Sequence, residues 1–360
     1  MADPPPVVTR TLTAKDVALY ASSIGADPVV HGDADLRLLY ERHPRFGRAL
    51  PAVAIVAAHD AVGLLSPQAM RERVPGYAQE RALHGEHYVR LERPLRAGKT
   101  YETPRARVVR VTPKSRGESA VVVLRTTTAT AAASQRRRGA AAKEVVAVNE
   151  FTSFVLGAGL QGSAEKEWVA RDSDSSGSSP APPRPPPGDD AAPPDFTARW
   201  RVPTGAAALY RLNGDLNPLH VDPAAVPAGR FGGRPILHGL CTLGASALLL
   251  ARAAGLDPTA VRELRCRFSA HVFPGDAIVI EAWRRSEVQE EQGEEGSRPR
   301  FVFRTIVERG GGGGSDGQSS EQAVAISQAS ASFFTDEEMR RFEIEEEQEQ
   351  QMEQWRRARL

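Results

Sequence analysis

Cysteine is almost missing. Cys241 and Cys266 are the only two in 360 residues. There is no CxxC pair and no Cys/His spacing suited to zinc, so neither a disulfide framework nor a structural zinc site is expected. Two buried free thiols in a reducing compartment fit better. A charge of one sign is missing too: 46 basic against 45 acidic residues leave a net +1. Nothing in that balance points to nucleic acid or an anionic membrane as a partner. The start, Met1-Ala-Asp-Pro-Pro-Pro, lacks a basic stretch followed by an apolar run, so no signal peptide is expected. The most apolar stretch, residues 236–256, contains His238 and Arg252 and many small residues, and reads as a core helix rather than a membrane span. No GxGxxG opens a βαβ unit, which excludes a dinucleotide-binding unit of that kind. Five consecutive glycines from Gly310 are not followed by Lys-Ser/Thr, so they do not cradle phosphate.

What is present is 41% hydrophobic, enough for a sizeable core. A Pro/Ser-rich stretch around residues 172–190 cannot form one. It predicts a disordered linker over 166–195 between an N-terminal unit, 1–165, and a C-terminal unit, 196–336, with a charged tail at 337–360. Each unit reads helix first, strands after. In the first, helices are expected over 12–24 and 53–65. Strands follow over 87–91, 101–111, 120–129 and 145–156. In the second, helices are expected over 206–212 and 236–254. Strands follow over 263–268, 277–284, 300–307 and 323–334. Polar insertions at 287–297 and 310–320 read as hairpin tips. The tail, 336–359, is expected to be a solvated helix. The pattern is a duplicated α+β unit.

The densest chemistry lies in Tyr210-Arg-Leu-Asn-Gly-Asp-Leu-Asn-Pro-Leu-His-Val-Asp222. Asp215, Asn217, His220 and Asp222 occupy eight positions, punctuated by Gly214 and Pro218, which argues for a bent loop. Pro235-Ile-Leu-His-Gly-Leu-Cys241 follows and runs into the long apolar helix. Its first amides fall near His238 and Gly239. An acid, a base and free backbone N–H groups suit acid/base chemistry on a carbonyl compound. Asp222 could pair with Arg211 or Arg230, or cap the turn at Pro223. The spacing does not match a Ca²⁺ loop, and no metal is expected.

These two segments, in this order, resemble the hydratase 2 motif of MaoC-like (R)-specific enoyl-CoA hydratases, including the hydratase unit of peroxisomal multifunctional enzymes. The resemblance covers roughly residues 10–160 and 195–335. It implies two tandem hot-dog folds, a pseudo-dimer in one chain, each an antiparallel sheet wrapped around a central helix. It also implies that Asp215 and His220 hold a water, that Asn217 supports them, and that the Gly239 N–H stabilises the enolate oxygen. His238 is expected to shape the pocket. The N-terminal unit has no such motif and is expected to accommodate the acyl chain, near residues 51–65. Glu86, in Leu83-His-Gly-Glu-His-Tyr88, reads mainly as a structural partner. Arg265 and Arg267 are candidates to meet coenzyme A phosphates.

The implied reaction is reversible addition of water to a trans-2-enoyl-CoA, giving a (3R)-3-hydroxyacyl-CoA, with no cofactor. A dehydratase acting on acyl carrier protein, a non-catalytic acyl-CoA-binding module and a thioesterase are the rival readings. The final Ala358-Arg359-Leu360 resembles the small–basic–leucine peroxisomal address, so an import receptor and a peroxisomal location are expected. A homodimer is expected; nucleic-acid and membrane partners are not.

Overall fold

The computed structural model describes residues 6–131, 144–160, 168–169, 192–285, 298–309 and 321–357. The first repeat opens with β1 (Val7–Thr11), α1 (Ala14–Ser23), α2 (Pro28–His31) and α3 (Asp33–Leu39). Then come α4 (Val53–Gly63), α5 (Pro67–Arg71) and strands β2 (Ala82–Leu91), β3 (Thr100–Pro104), β4 (Arg107–Lys114), β5 (Ser119–Thr130), β6 (Val145–Leu156) and β7 (Trp168–Val169). The second contains β8 (Phe196–Arg201), α6 (Ala206–Tyr210), α7 (Gly239–Ala253), β9 (Val261–Phe268), β10 (Ala277–Arg284), β11 (Arg300–Arg309) and β12 (Glu321–Phe333), and α8 (Asp336–Arg357) closes the chain. The α+β architecture of two sheets, each wrapping a helix, is as expected. The sheets are not separate, however. They form one antiparallel sheet with order β1-β3-β5-β6-β2-β9-β12-β11-β10-β8, and β4 and β7 branch from β5.

The repeats meet where β2 pairs with β9, Glu86 opposite Arg267 and Arg90 opposite Glu263. β2 starts at Ala82, earlier than its apolar residues indicate. The register of its pairing with β6 slips between His84 and Glu86, which makes Gly85 a bulge. The expected strand over 101–111 is two strands, broken after Pro104, which has no N–H to give the ladder.

Two helices form the core of the repeats. In α4, Val53, Ala54, Ile55, Ala57, Ala58 and Ala61 are buried. In α7, every residue from Leu240 to Ala251 is buried, so it lies inside its sheet rather than on it. Small residues allow that depth: the hydroxyl of Ser246 bonds back to the Thr242 carbonyl at 2.7 Å and meets Thr305 at 2.8 Å, so the buried polar atoms are satisfied. Gly255, with φ of 68°, then turns the chain out of the helix.

Other contacts tie one repeat to the other. Arg37 makes two hydrogen bonds of 2.9 Å to Asp257, and Arg252 pairs with the buried Asp35. The tail differs from expectation. α8 begins in a capping box, with Thr335 and Glu338 exchanging bonds of 2.8 and 3.2 Å. It buries Met339 and Phe342. Its glutamates then meet a basic row of the first repeat: Arg48 and Arg96 reach Glu346 at 3.1 and 3.2 Å, Arg93 reaches Glu345 at 3.1 Å, and Lys99 reaches Glu349 at 2.6 Å. The tail's acidity serves docking as well as solvation. Both cysteines are buried and free, and burial raises the pKa of each thiol. Among the described residues no helix is long and apolar enough to cross a membrane.

Of the expected linker, Trp168 and Val169 pair with β4. The insertions at 287–297 and 310–320 and the final Ala358-Arg359-Leu360 lie outside the described residues.

Candidate active site

After the short turn Arg211–Asn213, Gly214 takes a φ of 133°, a conformation that favours glycine. This bend brings Asp215 back against the start of α7. The loop is anchored from the other repeat: the Nδ2 of buried Asn213 donates to the Ser23 hydroxyl at the end of α1 (3.1 Å) and to the Tyr210 carbonyl (2.8 Å).

Asp215 Oδ1 accepts from the Asn217 N–H at 3.3 Å. Asn217 caps the single turn Pro218–His220, its Oδ1 accepting from the Leu219 N–H at 3.1 Å. Its side chain therefore orients the turn that carries His220. His220 Nδ1–H donates to the Ile236 carbonyl at 2.9 Å. A carbonyl can only accept, so in the neutral ring the lone pair is on Nε2. Burial lowers the pKa of His220, while the Ile236 contact and Asp215 pull it back up.

His238 stacks on His220 with ring centres 3.7 Å apart and planes 25° apart, and Tyr210 flanks it at 4.9 Å. Its Nε2–H donates to the Asp215 carbonyl at 3.3 Å. Burial first, then the neighbouring His220, push His238 down to about 4. Both rings are thus neutral near pH 7, and His238 braces His220 while tying itself to the Asp215 backbone.

Donor atoms of Asp215, His220 and His238 all lie within 4.8 Å of one another, a residue set that could in principle hold a metal ion. The geometry does not suit one. Imidazole lone pairs lie in the ring plane, and two nearly parallel planes do not meet at a point about 2 Å from both nitrogens.

Gly239 is the first residue of α7. A Cβ there would stand 3.0 Å from the Phe268 ring, so a side chain fits only if that ring gives way by a few tenths of an ångström. Its N–H has no helical carbonyl to bond and sits at the positive end of the helix. Asp215, His220 and His238 therefore stand together, and Gly239 follows His238 in the chain at the start of α7.

The remaining candidates lie elsewhere. Glu86 and Arg267 face each other across the seam at 3.8 Å, and both are substantially exposed. The Arg265 guanidinium lies 5.1 Å from the centre of the Tyr88 ring. Asp222 caps its turn, accepting from the Ala224 N–H at 2.9 Å, and makes no ion pair with Arg211 or Arg230.

Three histidines of the first repeat border the site, and only two of them were visible in the motif around Glu86. The His84 ring lies 5.1 Å from Phe268, which itself abuts Gly239, and 5.5 Å from His87. Burial, then His59, push His84 down to about 4, against an opposing pull from Asp215. His87 is lowered by burial and then by His84. One nitrogen each of His84, His87 and His238 is buried without a partner. His59, on the apolar helix α4, gave no sequence signal beyond a His-Asp pair among alanines and valines.

Known proteins resemble the chain in both of its repeats. Residues 11–157 match the MFE-2 hydratase 2 N-terminal domain, and residues 190–299 match the MaoC like domain. The chain is 34% identical over 276 residues to the peroxisomal hydratase-dehydrogenase-epimerase of Saccharomyces cerevisiae, covering 77% of this chain but only 27% of that protein. It is 30% identical over 284 residues to the peroxisomal enoyl-CoA hydratase 2 of Arabidopsis thaliana, covering 77% of this chain and 84% of that one. Among solved structures, the MaoC-like dehydratase of Phytophthora capsici superposes with a TM-score of 0.66 at 26% identity, over 92% of this chain and 96% of the other. Both halves and the double fold agree, and the chain belongs to the enoyl-CoA hydratase 2 family of MaoC-like proteins.

Proposed function

We propose that this chain catalyses the reversible hydration of trans-2-enoyl-CoA to (3R)-3-hydroxyacyl-CoA in peroxisomal fatty-acid β-oxidation. The observation that carries this reading is the meeting of Asp215, the Nε2 face of His220 and the start of α7 at Gly239. A water held between Asp215 and His220 is activated as its proton moves to one of them. The hydroxyl oxygen bonds to C3 of the substrate, and the C2–C3 π electrons shift toward the thioester. Charge then builds on the thioester oxygen, where the Gly239 N–H and the α7 dipole stabilise it. The proton returns to C2 on the same face, and the thioester carbonyl reforms. Every atom of the water ends in the product, so neither metal nor redox cofactor is called for.

The same reading gives Asn217 and His238 positioning roles, and Glu86 a structural one at the seam. The N-terminal unit, 1–165, makes room for the acyl chain, and 196–336 carries the chemistry. Relatives named peroxisomal support the location, with Ala358-Arg359-Leu360 as the import address. Turnover of enoyl thioester by the purified chain, abolished by Asp215→Ala, tests the function. Absence of turnover by the parent chain would reject it, and turnover undiminished by the change would reject the role of Asp215.

A further inference from the structure

The site has two halves, the loop that carries Asp215 and the start of α7 with His238 and Gly239. The loop is thinly held. Among the described residues from Arg211 to Ile236, Asn213 alone is buried. It lies two residues before Asp215, and a polar side chain is buried there only because hydrogen bonds hold it. One of those bonds comes from the other repeat. Ser23 closes α1 and is 1% exposed. Its hydroxyl donates to the Tyr20 carbonyl at 2.8 Å and accepts from Asn213 Nδ2 at 3.1 Å. The Ser23 carbonyl faces the second half: the thiol of Cys241, two residues after Gly239, donates to it at 3.5 Å. A single residue of the first repeat thus meets the loop through its side chain and α7 through its backbone. Tyr20, one turn earlier, repeats the pattern. Its ring meets Tyr210 edge-on with centres 6.1 Å apart, and its hydroxyl lies over Gly244 of α7, where a side chain would collide with it. Arg10 adds a weaker strut, Nη2 donating to the Asn213 carbonyl at 3.4 Å.

We propose that Ser23 is a positioning residue for the reaction: through Asn213 it sets the separation between Asp215 and the Gly239 N–H. This rests on the hydratase reading and deepens it. The acid/base pair works at C2 and C3 of the enoyl group, and the N–H works at the thioester oxygen of the same molecule. Their separation must therefore be fixed before substrate arrives, and a misplacement of about 1 Å in such a site costs about a hundredfold in rate. Neither half can set it alone, because the loop has one buried point and that point is gripped by α1. Ser23 acts through Asn213 rather than on substrate, so its effect belongs to kcat and not to KM. The first repeat thereby contributes to the chemistry as well as to the room for the acyl chain.

The test is a double-mutant cycle in the full chain, with Ser23→Ala, Asn213→Ala and the pair assayed on trans-2-enoyl-CoA. Ser246→Ala is the comparison, since it too removes a buried hydroxyl with two hydrogen bonds, to Thr242 and Thr305. Each single variant should lower kcat roughly ten- to a hundredfold and leave KM unchanged. The pair should lose no more than Asn213→Ala alone, because the two side chains act through one bond. Ser246→Ala should lower the urea midpoint and keep the parent kcat. Losses that multiply in the pair, a change carried by KM, or an equal kcat loss in Ser246→Ala would overturn the role while leaving the hydratase reading intact. If one single variant does not fold, the other carries the comparison, and loss of folding in both would make the pair structural and overturn the role. If the parent chain turned over no enoyl thioester, the hydratase reading would fall. The ring-proton NMR signals of the stacked His220 and His238 would then decide: they should move in Ser23→Ala and stay in Ser246→Ala, and unmoved signals in Ser23→Ala would overturn the role.

Discussion

At the residue scale the site works by holding two imidazoles neutral and one of them correctly turned. His220 gives its Nδ1–H to Ile236, and burial keeps its pKa below the ordinary histidine value. Asp215→Ala and His220→Ala are each expected to lower kcat by about 10²- to 10⁴-fold. The urea midpoint of the Asp215 variant should stay close to that of the parent, because that side chain accepts one hydrogen bond, whereas loss of the stacked, hydrogen-bonded His220 ring should lower it somewhat. A comparable fall in stability would show that the two residues serve the loop rather than the chemistry. The pH profile follows from the same shift. A base must be unprotonated, so the acidic limb of kcat/KM should be centred below about 6.5, the ordinary histidine value. An acidic limb centred above that value would contradict the assignment. Much of this was legible beforehand. Asp215 and His220, close in sequence, meet His238, and Gly239 is its neighbour in the chain. Asn217 was harder to read: the same amide that could touch substrate is spent on the Leu219 N–H, and only geometry distinguishes these uses.

At the element scale, α7 and the seam position the loop. The long apolar run from residue 236 was legible as a helix, because burial on every side leaves no polar face. The elements that escaped were short. β1 and β8 have alternating burial over five and six residues, too brief a pattern to stand out from a loop. The docking of α8 escaped as well, since a chain of glutamates has no visible partner until the fold brings Arg48, Arg93, Arg96 and Lys99 into one row. A buried ion pair lies between α3 and α7. Asp35 is 1% exposed, pairs with Arg252 and accepts the Asp27 N–H at 2.6 Å. Asp35→Ala leaves the Arg252 charge and a backbone donor without that acceptor and should cost about 3 kcal/mol of unfolding free energy. Urea denaturation measures it, and a loss below about 1 kcal/mol would mean that Arg252 finds water or another partner at small cost.

At the scale of the whole molecule, the two repeats share one continuous sheet. The duplication was legible in the repeated helix-then-strands order. The continuous sheet was not, because the β2–β9 pairing joins segments about 180 residues apart and no local pattern records it. Its histidines make stability depend on pH. His84, His87 and His238 are held neutral in the folded chain, with folded pKa values below those of the unfolded chain. Between about 6.5 and the folded values the unfolded chain binds more protons, so stability is intact above that window and falls as pH drops through it. Denaturation at pH 7.5 and pH 5 should show the lower midpoint at pH 5. Equal midpoints would mean that the three rings take up protons without opening the fold.

The central claim concerns the reaction itself. The most direct test follows loss of the conjugated enoyl absorbance when the purified chain meets trans-2-enoyl-CoA, with the product resolved on a chiral column. The expected result is a (3R)-3-hydroxyacyl-CoA that Asp215→Ala no longer forms. A (3S) product, release of free coenzyme A, or no turnover with tight acyl-CoA binding would each contradict it.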